Sequence, residues 1–204
     1  MMGVKEKRAK YKQEFRQDIL DAARELFLND GYEKFSMRRL AEKIEYSPTT
    51  IYLYFKDKDA LLFAICEDFA EKFLTHLNYI RSQSDDPLKT LRAALLYRVD
   101  FGLSNPNQYR VFFLTSPNVY GAEGEFMKKK SMARDSYLVL KEMVQDCIKK
   151  GKFRDLGVEV IAQSLAVSTH GLIIVNIVNK TFPWVDRKVL APALVDGLLR
   201  GFQK

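Results

Sequence analysis

Cysteine and histidine are scarce in this chain of 204 residues, which contains two of each. Cys66 and Cys147 lie in separate helical patterns, and neither His76 nor His170 has a cysteine or carboxylate at the spacing of a metal-ligand set. Such sparse cysteines exclude a disulfide scaffold and are typical of a reduced intracellular protein. We therefore expect a cytoplasmic protein that uses no metal and no other cofactor.

Long apolar runs and catalytic motifs are also missing. The most apolar stretch, residues 172–178, is far too short to cross a bilayer, and the charged N-terminus lacks the apolar segment of a secretory signal. The sequence has neither a Gly-x-Ser-x-Gly nucleophile motif nor a glycine-rich phosphate-binding loop. We expect a protein that is not an enzyme and has no membrane partner.

No segment alternates apolar and polar residues with the period of two that a half-buried β-strand shows. Apolar residues recur instead at the three- and four-residue spacing of amphipathic helices, so the sequence predicts an all-α fold. Helices are expected over about residues 11–29, 57–82, 87–104, 125–150, 157–179 and 187–203, with a short one after Asn105-Pro106. Residues 116–124 are expected to form an irregular loop.

The chain carries a net charge of +7, and basic residues are concentrated at its N-terminus. Residues 1–60 as a whole carry thirteen basic and eleven acidic side chains, so charge does not mark that region as a unit. Five of the basic residues precede residue 13 and oppose a single acid, Glu6: Lys5, Lys7, Arg8, Lys10 and Lys12. They form either a disordered, solvated tail or an arm that contacts DNA phosphates or the minor groove.

Residues 36–55 contain two short helical patterns separated by a tight turn. Ser36 can cap the first pattern, and Ser47 can cap the second, with Pro48 at its first helical position. At ~100° per residue, Ile51 and Phe55 fall on one side of the second pattern and can anchor it to a core. Two such helices, the second fixed from beneath, are the layout of a helix-turn-helix.

The opposite side of the second pattern carries Thr49, Thr50 and Leu53, with Tyr52 and Tyr54 on the flanks. In a helix-turn-helix this side enters the major groove, where threonines and a leucine reach base edges while phenols and cations contact phosphates. The predicted DNA-binding residues are Ser36, Arg38, Ser47, Thr49, Thr50, Tyr52, Leu53, Tyr54 and Lys58. The alternative is an ordinary helical hairpin with half-buried tyrosines.

The segments ILDAARELFLNDGYEKFSMRRLAEKI and SPTTIYLYFKDKDALL, within residues 19–62, resemble the N-terminal three-helix domain of the TetR family of bacterial transcriptional regulators. The family's most recognisable run is intact over residues 50–58. The resemblance implies a DNA-binding domain with a basic N-terminal arm over residues 1–58. It implies a helical ligand-binding and dimerisation domain over residues 59–204, reached through the long helix that begins near residue 57.

Two positions depart from the family pattern. Glu45 and Tyr46 stand where a glycine and a small aliphatic residue are usual, so the turn must hold a left-handed or bridging conformation without glycine. Leu53 stands where histidine or tyrosine is frequent, which leaves the base preference open. The resemblance assigns recognition-helix contacts to the threonines and tyrosines already named, and a phosphate contact to Lys58.

The last predicted helix carries small residues every four positions, at Ala193, Gly197 and Gly201. Each interior glycine costs ~1 kcal/mol in a helix, and close helix packing would explain the row. The predicted dimer interface is Ile161, Leu165, Leu172, Leu190, Ala193, Leu194, Gly197, Leu198 and Gly201. The alternative is tight packing inside one subunit. The TetR resemblance implies a homodimer through the last two helices.

Aromatic residues accumulate in the second predicted domain, together with a few polar side chains. They are compatible with a small-molecule pocket or with plain core packing. The candidate ligand-binding set is Tyr97, Phe101, Tyr109, Phe112, Phe113, Tyr137, His170, Asn176 and Trp184. Residues 169–171, Thr-His-Gly, also resemble the Trp-His-Gly segment of one TetR C-terminal subfamily, with Ala166 in the place of the tryptophan.

The sequence thus favours a homodimeric regulator that binds a palindromic operator in double-stranded DNA and responds to a small-molecule effector. Repression relieved by the effector is favoured over activation. The alternative is a helical small-molecule-binding protein without a DNA-binding role. The exposure of Thr49, Thr50, Tyr52 and Tyr54 separates the two, because a mere binding protein has no use for such a face.

Overall fold

The computed structural model describes residues 3–115, 119–122 and 124–204. Across these ranges the regular structure is helical, with no β-strand and one isolated bridge between Phe153 and Gln203. The α-helices are α1 (Val4–Lys34), α2 (Met37–Lys43), α3 (Pro48–Tyr52), α4 (Lys58–Ser82), α5 (Pro87–Ser104), α6 (Pro106–Arg110), α7 (Met132–Lys149), α8 (Val158–Val178) and α9 (Arg187–Phe202). A π-helical turn, Val111–Thr115, follows α6. The all-α prediction is confirmed. Residues 116–118 and 123 of the predicted loop lie outside the described residues.

The chain divides into two compact units. The first comprises Met1–Phe69 and Asn107–Lys129, and the second comprises Ala70–Pro106 and Lys130–Lys204. Helix α4 therefore contributes its beginning to the first unit and the rest to the second. The functional boundary between residues 58 and 59 stays a prediction.

The core of the first unit explains why α1, α2 and α3 pack together. Helix α1 buries Phe15, Ile19 and Phe27, while Leu40 from α2 and Ile51 from α3 complete the centre with no exposed surface. Gly31, at φ 75°, ends the straight part of α1 as predicted. The chain then folds back so that the Tyr32 and Phe35 rings stack on Phe27, at centroid distances of 6.2 and 4.1 Å.

Helix α1 begins at Val4, seven residues before the predicted start, so the predicted start of this helix is wrong. The extra residues 4–10 include three lysines, one arginine, one glutamate and one alanine, which are all good helix formers. Gly3 is the N-cap, and its N–H donates to the Glu6 carboxylate at 2.8 Å. The basic residues near the N-terminus are therefore held on a helix.

Helix α5 is the centre of the second unit and packs against α7, α8 and α9. The Arg92 guanidinium on α5 donates twice to the Asp196 carboxylate on α9, at 2.5 and 3.0 Å. Helix α7 begins at Met132 rather than near residue 125, because Ser131 caps it by accepting the Arg134 N–H at 3.1 Å. The predicted bounds of α5 match the structure at both ends, and those of α8 and α9 match within one residue.

Helix α8 as a whole is more apolar than residues 172–178 alone suggested. Its 21 residues include a window of mean hydropathy 1.6, so length and composition alone would let it cross a membrane. The core helix of a soluble protein has the same properties, and one side of α8 is buried in the second unit through residues such as Ile161, Leu165 and Ile173. Its other side carries exposed valines, described below.

Candidate nucleic-acid interface

The turn between α2 and α3 closes without glycine. Glu45 adopts φ 59°, the left-handed region, and its N–H donates to the Glu42 carbonyl at 3.3 Å. The Tyr46 N–H donates to the Ala41 carbonyl at 2.9 Å, so the two bonds form the Schellman motif that usually requires glycine. The left-handed conformation inferred from the sequence is present at Glu45.

Glu45→Gly is expected to stabilise the protein. Holding a residue with a side chain in the left-handed region costs roughly 1–2 kcal/mol, and glycine avoids this cost. Part of that gain is offset because glycine loses more conformational freedom on folding. We expect the free energy of unfolding in urea to rise by roughly 1 kcal/mol. Glu45→Ala is the matched control, since it removes the same carboxylate and keeps a Cβ. An equal gain for both variants would attribute the effect to charge rather than to backbone conformation.

Helix α3 has the predicted construction. The Ser47 hydroxyl accepts the Thr50 N–H at 3.2 Å, with Pro48 in the first turn. Ile51 has no exposed surface, and Phe55, just beyond the helix, is only 4% exposed. Since these two side chains lie beneath, the helix can turn its other side only outward.

The outward side of α3 is apolar and phenolic at its most exposed positions. Tyr52 is 53% exposed and Leu53 is 77% exposed, and Thr49 is exposed as well. Thr50 is half-buried, and its hydroxyl lies 2.8 Å from that of Ser47. The two hydroxyls satisfy one another, so Thr49 and Leu53 are better placed than Thr50 to meet an incoming molecule.

Tyr54 differs from the sequence-based expectation of an exposed flank. It is half-buried, with its ring edge-on to Phe15 of α1 at 5.2 Å and the Lys12 ammonium 5.9 Å above it. The Phe15 ring also contacts Tyr46, at 4.4 Å. The Tyr11 ring stacks on Phe15 at 6.5 Å. Tyr11, Lys12 and Tyr46 therefore border the face of α3, although no sequence pattern marked Tyr11 or Tyr46.

The remaining predicted residues surround this face. Ser36 caps α2 by accepting the Arg39 N–H at 3.2 Å. Arg38 is highly exposed and pairs with Glu42 at 3.0 Å, an exposed ion pair that stabilises the helix little and can exchange for another anion. The Lys58 ammonium lies 3.9 Å from the centre of the Tyr32 ring and also donates to the Tyr32 carbonyl at 3.5 Å.

Two phenols near these groups stay protonated well above neutral pH. Burial, followed by a hydrogen bond to Asp59, raises the pKa of Tyr32 to about 12. A hydrogen bond with Tyr11 raises the pKa of Tyr46 above its ordinary value. Both hydroxyls therefore already have partners within the first unit.

The candidate ligand-binding residues are distributed over both units. Tyr109, Phe112 and Phe113 belong to the first, whereas Tyr97 and Phe101 belong to the second. In the first unit, Phe112 lies 4.6 Å from Phe113, and in the second, Tyr97 lies 5.6 Å from Phe101. Each group is therefore an aromatic cluster within its own unit.

Three polar members of that set, Tyr137, Asn176 and Trp184, lie in the second unit and have hydrogen-bond partners within it. The Asn176 amide donates to the Leu172 carbonyl one turn earlier, and the Trp184 indole donates to the Asn179 carbonyl at 3.0 Å. Tyr137 donates to Glu159 at 2.7 Å. Burial, with the charge of Arg98, lowers the pKa of His170. A ligand-binding role for these residues stays a prediction.

The predicted dimer interface needs a correction. Ile161 and Leu165 are fully buried in the core of their own subunit and have no surface left for a partner. Leu172, Leu190, Leu194 and Leu198 are half-buried, whereas Ala193, Gly197 and Gly201 are exposed. A Cβ at either glycine would meet nothing within 4 Å. The most exposed apolar residues of these helices, unnamed by the sequence analysis, are Val160, Val167, Val178 and Val189.

Known protein families match the part of the chain that contains α2 and α3. The family model for bacterial regulatory proteins of the tetR family matches residues 19–65. An HTH-type transcriptional regulator of Staphylococcus aureus strain USA300 is 30% identical over 92 residues, which cover 45% of this chain and 50% of the relative. The chain thus spans about half the length of the curated relatives it matches.

Solved structures match nearly the whole chain. A TetR family transcription regulator from Marinobacter aquaeolei VT8 is 16% identical, with 96% of this chain and 99% of that chain covered at a TM-score of 0.76. The regulator FadR from Bacillus subtilis, solved in complex with stearoyl-CoA, is 18% identical, with 92% and 99% covered at a TM-score of 0.77. The predicted architecture, an N-terminal helix-turn-helix joined to a larger helical domain, is confirmed. The Trp-His-Gly subfamily assignment stays a prediction.

Proposed function

We propose that this chain, a member of the TetR family of bacterial regulatory proteins, is a cytoplasmic transcriptional repressor that binds palindromic operator DNA as a homodimer. The observation that carries the proposal is the outward face of α3. Tyr52 and Leu53 are more than half exposed, although the preceding residue, Ile51, is fully buried. A helical binding protein without a DNA-binding role would leave that exposed face without a use.

The residues around α3 divide into two roles. Thr49 and Leu53 face outward at the centre, where a hydroxyl can bond a base edge and an isobutyl group can contact a thymine methyl. Tyr52, Arg38 and Lys58 lie at the periphery and supply the phosphate contacts that set the register on the duplex. Sequence preference should therefore depend on the central pair, and overall affinity on the periphery.

The exposed stripe on α8 and α9 supports the homodimer. Along α8, exposed or half-buried Val160, Val167, Ile174 and Val178 recur at the seven- and four-residue spacing of a helix seam, opposite the buried side. On α9 the small residues Ala193, Gly197 and Gly201 are exposed, so another helix could pack closely against them. A two-fold dimer presents two recognition helices to two half-sites.

The effector step requires a second conformation. A small molecule that binds the second unit can release the operator only if it prefers a state whose recognition helices no longer match the half-sites. Helix α4 runs through both units and is the element able to transmit such a change. The stearoyl-CoA in the FadR structure supports a small-molecule effector within this fold.

Selection of bound sequences from a random duplex pool tests the proposal. The expected result is a motif with two-fold symmetry and half-sites about one helical turn apart or slightly more. Such a motif would establish DNA binding, dimer symmetry and half-site spacing together. Failure to enrich any sequence, with the protein folded and soluble, would contradict the proposal and favour the alternative binding protein.

Two single substitutions should separate the roles around α3. Tyr52→Phe removes a hydroxyl that contacts phosphate, so affinity should fall about tenfold for operator and unrelated duplexes alike. Thr49→Ala removes a base contact, so the ranking of operator variants should change while binding to unrelated duplexes stays the same. Both effects are measured by fluorescence anisotropy at one salt concentration. Reversed behaviour of the two variants would exchange their assigned roles.

A further inference from the structure

The N-terminal turns of α1 carry a cationic stripe. At ~100° per residue, Lys5, Arg8, Lys12 and Arg16 fall within about one-quarter of the helix circumference. This is the same side of α1 that, further along the chain, buries Ile19 and the rest of its core residues. Before the first core residue, Phe15, the same side of α1 thus carries cations instead of buried apolar residues.

Contacts in the first unit orient the stripe toward α3. The Arg16 guanidinium lies 5.1 Å from the centre of the Phe55 ring, and the Lys12 ammonium lies 5.9 Å from that of Tyr54. Both aromatic residues directly follow the exposed face formed by Tyr52 and Leu53. The stripe is therefore continuous with the proposed DNA-reading surface and extends away from it for roughly 10 Å between Lys5 and Lys12.

The opposite side of the same turns has a different charge pattern. It carries Lys7 and Lys10 together with Glu14, and the Lys10 ammonium lies 3.6 Å from the Glu14 carboxylate. Positive charge on that side is thus partly compensated. The asymmetry distinguishes a binding stripe from a helix that is basic all round.

We infer that Lys5, Arg8 and Lys12 bind backbone phosphates of double-stranded DNA beside the half-site that α3 reads. The inference rests on the proposed function and adds to it a second phosphate-binding element outside the helix-turn-helix. Because these residues are on a helix, their positions are fixed before binding, and no ordering of a flexible tail opposes association. The contacts are independent of sequence and add affinity rather than selectivity.

The salt dependence of operator binding tests the stripe. The variant Lys5→Gln/Arg8→Gln removes two stripe cations, and the control Lys7→Gln/Lys10→Gln removes two cations from the opposite side of the same turns. Glutamine resembles lysine and arginine in helix propensity, so both variants should keep α1 and the same thermal unfolding midpoint. Their net charges are equal, which leaves position as the difference between them.

The measured quantity is the slope of log affinity against log salt concentration for a fluorescent operator duplex. Each lost phosphate contact reduces the slope by about 0.9, so the stripe variant should lose about 2 for every bound protomer. The control should retain the parent slope within a few tenths. Equal slopes for the two variants would overturn the stripe while leaving the proposed function intact. Absence of operator binding by the parent protein would instead overturn the proposed function.

Discussion

Val167→Glu should convert the protein from a dimer into a monomer. Val167 is 69% exposed on α8, in the stripe opposite the buried side of that helix. In an isolated subunit the new carboxylate stays in water, so the free energy of unfolding should change by no more than roughly 0.5 kcal/mol. In a dimer each subunit would bury an unpaired charge, which costs about 3 kcal/mol or more. The dimer should weaken at least about a hundredfold.

Sedimentation velocity measures this change directly, and operator titration gives its consequence. A monomer presents one recognition helix, so half-site spacing should cease to affect its affinity. Ala93→Glu is the control, because it adds the same charge at an exposed position of α5 in the same unit. If the Val167→Glu protein still sedimented as a dimer, the dimer interface would not include the exposed stripe of α8.

Helix bounds could be predicted where local chemistry marks them. The bounds of α5 were predictable because Asp86 caps it, with bonds to the Leu88 and Lys89 N–H groups, and Pro87 begins it. The start of α1 was not, since a run of lysine and glutamate is compatible with a helix and with a solvated tail. The first core residue of α1, Phe15, comes only after these turns, so no apolar period marks their beginning.

Part of the candidate site could also be predicted, because helix periodicity determines which residues of α3 face the core. The positions of Ile51 and Leu53 follow from helix periodicity alone, and the structure places them inside and outside as expected. The half-buried state of Tyr54 was not accessible, because its neighbour Phe15 is 39 positions away in sequence. That contact exists only once α1 has folded against α3.

The buried side of α8 could not be chosen from the sequence. This helix is apolar on nearly all sides, so the period that identifies a buried stripe in other helices is weak here. Ile161 was therefore predicted to face a partner, although it lies in the core, and the adjacent Val160 was overlooked. Packing against α5 and α7, rather than any local pattern, determines which residues stay outside.

Ile51→Ala should destabilise the protein strongly and Leu53→Ala hardly at all, although only Tyr52 separates the two positions. Ile51 has no exposed surface, so its truncation leaves a cavity and should lower the free energy of unfolding by about 2–5 kcal/mol. Leu53 is 77% exposed, and its truncation should leave stability within roughly 0.5 kcal/mol of the parent. Thermal and urea unfolding measure both effects.

Operator binding then distinguishes support from recognition. Ile51→Ala should weaken every duplex, because the whole of α3 loses its anchor, and lowering the temperature should restore part of the affinity as the unit refolds. Leu53→Ala should bind unrelated duplexes like the parent and lose about 1–3 kcal/mol on the preferred base pair alone, at any temperature. If Leu53→Ala kept the parent's ranking of operator variants, the exposed leucine would have no part in reading bases. The face of α3 would then bind DNA through its hydroxyl groups and phenols.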